Sequence, residues 1–210
     1  MEQNIALLIA DLSGYTALTE THGSSSAADL IDTFLEMVNE CLVGDSHCHQ
    51  CIGDEVLIVS SSADNLIATS VVLHQKAASQ DNFLQLHGGL HFGKILKRNN
   101  NYFGTSINLT SRIAAKANPG TFWCSDQFLN ALLNKSDFEF RSKGKFSFKN
   151  LSEEQEVFEL IIKNKKSFFL DPVCRMIISN EKTAITHPDA QNIFFCSEQC
   201  RDIFIGNKVV

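Results

Sequence analysis

Residues 9–20 read IADLSGYTALTE and close an apolar run that begins at Ile5. The segment Ile5–Ala10 holds no polar side chain and is too short for a helix, so it reads as a buried strand ending at Asp11. Ser13-Gly14 then marks a turn. Downstream, Leu30, Phe34, Val38 and Cys41 fall on one helical face, which predicts a helix over Ser25–Cys41 with Ser24–Ser26 as N-caps. His47–Ile52 and Val56–Ser60 read as strands joined tightly at Gly53-Asp54. An amphipathic helix over Ala63–Ser79 follows, then a strand region over Leu84–Ile95 and a polar loop over Lys97–Asn101. A helix over Thr105–Ala117 is stopped by Asn118-Pro119-Gly120. A short strand over Thr121–Cys124 leads to Ser125, placed to cap a helix through Leu133. Phe138–Phe148 and Val157–Ile162 read as closing strands. Alternating helices and strands with some hairpins predict an α+β fold, a mixed sheet flanked by helices.

The 210 residues suffice for one full domain and a small appendage, and 44% hydrophobic content supports a core. A net charge of −6 argues against a general nucleic-acid binder, which needs a basic surface to displace counterions. A phosphate-bearing ligand remains compatible, because a metal ion supplies local positive charge. No apolar run is long enough for a membrane span, and the N-terminal stretch lacks a basic region and is interrupted by Asp11, unlike a secretory signal. The expected location is cytoplasmic, without a membrane partner. The seven cysteines are an odd number, so in a reducing compartment they suit metal ligands or core positions better than disulfides. The basic stretch Lys163–Lys166 reads as a linker between residues 1–163 and a cysteine-rich module at 167–210.

Strand-end and hairpin carboxylates such as Asp11 and Asp54 can converge on a hard divalent cation, Mg²⁺ or Mn²⁺. Taken singly, Asp11 also reads as a helix cap and Asp54 as an Asx turn. Asn108 and Arg112 are four apart and share a helix face. The planar guanidinium suits a phosphate, while a solvated helix face is the plainer reading.

Together these strings resemble one family. IADLSGYTALTE resembles the opening metal motif of class III nucleotide cyclases, F-x-D-I-x-G-F-T. CIGDEVLIV (51–59) resembles their second metal motif, FGTSINLTSRIAAKANPG (103–120) their G-x-x-V-N-x-A-x-R helix, and KGKFSFKNLSEEQEVFELI (143–161) their closing strands. The resemblance covers about residues 3–162. It implies a homodimer with sites at the interface. In each site Asp11, Asp54 and the Leu12 carbonyl of one copy would hold two Mg²⁺ or Mn²⁺ ions. Asn108 and Arg112 of the other copy would orient the ribose and stabilise phosphate charge. The reaction implied is conversion of ATP, or GTP, to the 3′,5′-cyclic nucleotide and pyrophosphate. The alternative is a weak or inactive homologue acting as a nucleotide- or metal-binding sensor or scaffold.

The base-reading positions depart from the family pattern. Gln50 stands where cyclic-AMP-forming members usually have Lys, and Asn101 where they have Asp, Thr or Ser. Carboxamides both donate and accept, so this pair could read either purine with reduced discrimination. Along HCHQC (47–51), alternation puts His47, His49 and Cys51 on one face. The plain reading is a strand that positions Gln50 and Asp54, with a metal site as the alternative. Cys41 and Cys124 read as small core residues.

DPVCRMIIS (171–179) and FFCSEQCRDIF (194–204) resemble the YHS module, a zinc-knuckle-like relative of the TRASH domain with D-P-V-C-G-M and Y-F-C-S-x-x-C strings. The resemblance implies that Cys174, Cys196 and Cys200 bind Zn²⁺ or another soft ion; the short basic linker should hold the module near the larger domain, so occupancy is expected to tune the cyclase by biasing dimer geometry. The fourth ligand is left between His187 and Asp171, or the site stays open. Arg175 replaces the usual Gly.

Overall fold

The computed structural model describes residues 2–149, 153–163, 168–180, 183–190 and 192–206. Residues 164–166 of the expected linker lie outside these. The main sheet is built from β1 (Glu2–Ser13), β2 (His47–Ile52), β3 (Glu55–Ser60), β4 (Gln85–Arg98), β5 (Asn101–Phe103), β6 (Phe122–Ser125), β7 (Phe140–Phe146) and β8 (Gln155–Leu160). Its order is β2-β3-β1-β4-β6-β8-β7, with β5 on β4. The β4–β6 pairing is parallel; the remaining pairings are antiparallel. Helices α1 (Tyr15–Glu40), α2 (Ala63–Ser79), α3 (Thr105–Ala114) and α4 (Asp126–Ala131) flank this mixed sheet.

The apolar run of β1 is buried because the strand is central. Ala6, Leu8, Ala10 and Leu12 pack with Phe34, Met37, Leu66 and Leu73 of α1 and α2. Ile5, Leu7 and Ile9 pack with Leu57, Val59, Ile95 and Ala114, the last from α3. Each large side chain so buried contributes about 1.5–3 kcal/mol. Gly89 lets α3 lie close on β4, since a Cβ there would meet Ala114 N at 2.4 Å and Thr110 O at 2.5 Å. Cys41 and Cys124 are buried, as expected of core residues.

Two segments differ from the sequence expectation. Helix α1 starts at Tyr15 rather than Ser25; it breaks at Gly23 (φ 83°, ψ 167°), and Ser24–Ser26 open only its second arm. The expected loop over Lys97–Asn101 is a hairpin in which Arg98 pairs with Asn101. Its two turn residues, Asn99 and Asn100, have φ of 49° and 59°, the left-handed region that Asn tolerates.

After β8 come β9 (Phe169–Leu170), β10 (Ile177–Ile178), β11 (Ile185–Thr186), β12 (Phe194–Phe195) and α5 (Glu198–Gly206). β9 pairs with β10 and β11 with β12. This segment is fastened to the large sheet domain. Ile177 N donates to Phe83 O at 2.6 Å, Asn82 N to Ile177 O at 2.9 Å, and Ser179 N to Asp81 Oδ1 at 2.8 Å.

Candidate active site

Register places the first aspartate. Asp11 sits near the end of β1, opposite Glu55 of β3 and opposite His87 of β4. Asp54 occupies the β2–β3 turn beside Glu55, next to Gly53 at φ 59°. The Asp54 carboxylate lies close enough to raise the pKa of Asp11, and Leu12 N donates to Asp11 Oδ1 at 2.9 Å. His87 closes the group: its Nε2 lies 3.7 Å from Asp11 Oδ2, and its Nδ1 is hydrogen bonded to Ser13 Oγ at 2.9 Å. An open cleft of about 350 Å³ fronts them, lined by residues that include Asp11, Leu12, Gly14, Asp54, His87 and Pro119.

Burial, then the charge of Asp54, push the Asp11 carboxyl up to about 7. Two carboxylates this close cannot both ionise cheaply without a counter-charge. A hard divalent cation would supply that counter-charge, so the donor set fits Mg²⁺ or Mn²⁺. Burial lowers the pKa of His87, only partly offset by Asp54 and Asp11.

A pH effect follows. The folded chain holds a proton on Asp11 that the unfolded chain releases near 3.8. The folded state therefore binds more protons, and this group's stabilisation is full below that value and lost as pH rises towards about 7. Thermal melts in chelator from pH 4 to 8 should show wild type losing stability relative to Asp54→Asn across that window. Parallel curves would contradict the coupling.

A second cleft of about 220 Å³ is lined by Ile9, Gln50, Ile52, Glu55, Leu57, Ile107, Asn108 and Ser111. It brings together Gln50 and Asn108. Asn101 is exposed on β5 and does not line it. Arg112 is half-buried on α3, one turn beyond Asn108. No residue lining this cleft also lines the first, so within one chain the aspartates and Asn108 face separate spaces.

The histidine–cysteine strand next to Gln50 is irregular. A register shift between Cys48 and Gln50 interrupts the alternation, and Cys48 Sγ lies 3.3 Å from Cys51 Sγ. The His49 ring instead packs on Tyr102 at 4.5 Å. No metal-sized group of three donors forms there among the described residues.

At the C-terminal segment, Cys174, Cys196 and Cys200 do converge. The fourth donor beside them is His22 of α1, rather than His187 or Asp171. Asp171 is fully buried and occupied: Oδ1 accepts from Val173 N at 2.8 Å and Cys174 N at 3.2 Å, and Oδ2 from Cys196 N at 2.8 Å. It holds the two cysteine turns together. The His187 ring packs against Phe195 and Phe204, and its Nδ1 accepts from Asp189 N at 3.1 Å. Arg175 takes the left-handed φ of 68° that the usual Gly would adopt without strain. His22 and His87 escaped the sequence reading. His22 lies far along the chain from the cysteines, and the pairing of His87 with Asp11 appears only once β1 and β4 are in register.

The sequence model of the adenylate and guanylate cyclase catalytic domain matches residues 1–170, and the cysteine-rich segment lies beyond that match. An uncharacterised protein of Mycobacterium tuberculosis (strain H37Rv) is 32% identical over 152 residues, covering 72% of this chain and 39% of the relative. An adenylate cyclase of Glutamicibacter nicotianae is 29% identical over 134 residues, covering 63% of this chain and 33% of that protein. The chain thus spans a third to two fifths of these relatives' lengths. Among solved structures, an adenylate cyclase from Trypanosoma brucei in its monomeric state superposes with a TM-score of 0.70 at 15% identity, covering 85% of this chain and 94% of that one. The guanylate cyclase domain of RhGC from Catenaria anguillulae, in complex with GTP, gives 0.65 at 13% identity, covering 78% and 100%. With the family model spanning most of the chain and the sheet order seen in the fold, this protein belongs to the adenylate and guanylate cyclase catalytic domain family.

Proposed function

We propose that the chain converts ATP, and GTP less efficiently, to the 3′,5′-cyclic nucleotide and pyrophosphate, at sites shared between two copies. The observation that carries this reading is the Asp11–Asp54 pair, two carboxylates forced together at an open cleft, one of them pushed up to about 7.

Asp11, Asp54 and the Leu12 carbonyl would hold two Mg²⁺ or Mn²⁺ ions. Bound there, the ions would favour ionisation of the ribose 3′-hydroxyl and neutralise triphosphate charge. The 3′-oxygen attacks the α-phosphorus and pyrophosphate departs. Arg112 offers a planar fork for charge on the transferring phosphate. Asn108 holds the ribose, which fixes the angle of attack. Gln50, in the same cleft as Asn108, reads the purine edge, with Asn101 as its expected partner. Since that cleft is separate from the aspartates, a second copy related by a two-fold axis would complete each site. The three cysteines are read as holding a soft ion, Zn²⁺ or copper, that tunes the cyclase. A cytoplasmic setting suits free thiols; no helix among the described residues is long and apolar enough to cross a membrane.

Purified chain with Mn²⁺ and ATP should release cyclic AMP and pyrophosphate in equal amounts. Linear products alone, or none, would refute the reading in favour of a nucleotide-binding scaffold. Base choice gives a sharper check. Gln50→Lys with Asn101→Asp should raise the ATP/GTP ratio of kcat/KM by about tenfold or more, because a fixed donor and acceptor leave buried groups unpaired against guanine. An unchanged ratio in an active double variant would remove both residues from base reading.

A further inference from the structure

The thiol cluster does not belong to the C-terminal segment alone. His22 Nε2 lies 3.6 Å from Cys196 Sγ and 3.5 Å from Cys200 Sγ. Cys196 Sγ lies 3.4 Å from Cys174 Sγ and 3.6 Å from Cys200 Sγ. All four donor atoms fall within 4.8 Å of one another. A tetrahedral Zn²⁺ with bonds of about 2.3 Å to sulfur and about 2.0–2.1 Å to nitrogen spaces its sulfurs about 3.7 Å apart and sulfur from nitrogen about 3.5 Å apart. The four spacings that run through Cys196 and His22 are close to those figures, while a disulfide would need about 2.05 Å.

Burial suits a closed structural site. Cys174 and Cys200 are fully buried, and Cys196 and His22 are half-buried. Cys196 Sγ is in hydrogen-bond contact with both Cys174 Sγ and Cys200 Sγ, and either sulfur of each pair can carry the donated proton. An ion that takes the place of these protons relieves the crowding of three sulfurs around one point.

The position of His22 gives the site a second meaning. His22 ends the first arm of α1, directly before the break at Gly23. That arm starts at Tyr15, just after β1, which carries Asp11 near its end, so about 12 Å of helix separates His22 from the end of that strand. Two further contacts tie the same pieces together. Gln199 Nε2 donates to Thr21 O at 2.7 Å, and a Cβ at Gly14 would lie 2.8 Å from Arg175 Cβ.

We propose that His22 completes a four-donor site for Zn²⁺ or a chemically similar soft divalent ion with Cys174, Cys196 and Cys200. One ion then clamps the C-terminal segment to the helix that follows the Asp11 strand, β1. The proposal rests on the soft-metal reading of the three cysteines but is independent of catalysis.

The test loads full-length chain with Co²⁺. Wild type should bind one ion per chain and show the ligand-field absorption of tetrahedral cobalt with thiolate-to-metal charge transfer. His22→Ala should weaken binding at least tenfold and change the ligand-field bands, while His22→Cys should restore tight binding with bands shifted to lower energy. His187→Ala should leave both unchanged. Removing the ion from wild type should increase hydrogen exchange at residues 12–23. No Co²⁺ bound to wild type would overturn the soft-metal reading and this proposal together. A wild-type site whose affinity and spectrum survive His22→Ala would overturn the proposal alone, as would bands that respond to His187→Ala instead.

Discussion

Alanine at Asp11 or at Asp54 is expected to lower cyclic nucleotide formation by about a thousandfold, equivalent to about 4 kcal/mol of transition-state stabilisation. The loss should not come from unfolding. Asp54 is among the causes that hold the Asp11 carboxyl up near 7, so removing it relieves a repulsion. Asp54→Ala should then melt in chelator, at pH 8, no lower than wild type. Inactive and stable is the combination that marks a ligand for catalytic ions rather than a structural group. Wild-type turnover in either variant would remove the aspartates from the chemistry. Lost activity with a lowered melting temperature would assign them a structural role.

Much of this was legible in the residues. The Ile5–Ala10 run implied a buried strand, and its central place between β3 and β4 explains why no polar residue interrupts it. Helix α2 follows its periodicity from Ala63 to Ser79, with Ser62 Oγ accepting from Asn65 N at its start. The first arm of α1 was missed because Gly14 and Gly23 flank a short stretch with only Leu18 fully buried, too little for a 3.6-residue pattern to show. Asp11, Asp54, Asn108 and Gln50 were picked out by motif, and the resemblance already assigned the aspartates and Asn108 to different copies, but the placement of Gln50 in the cleft of Asn108 needed coordinates. The fourth donor of the thiol cluster could not be read at all. Histidines 187 and 22 carry the same chemistry, and only packing separates one held between Phe195 and Phe204 from one whose Nε2 reaches the sulfurs.

The central claim is that one chain carries two half-sites that a second copy completes, and subunit mixing tests it most directly. Asp54→Ala should be inactive because every site loses a carboxylate. Arg112→Ala should be nearly inactive because every site loses its guanidinium. In an equal mixture with free exchange, half of the dimers pair one variant with the other. Each such dimer has one site carrying both substitutions and one carrying neither, so about a quarter of wild-type activity should return. The measurement is cyclic nucleotide formation by each variant alone and by the mixture, after mass spectrometry has shown that subunits exchange. Recovery towards a quarter is the expected result. A mixture no more active than the mean of its components, with exchange demonstrated, would contradict the shared site.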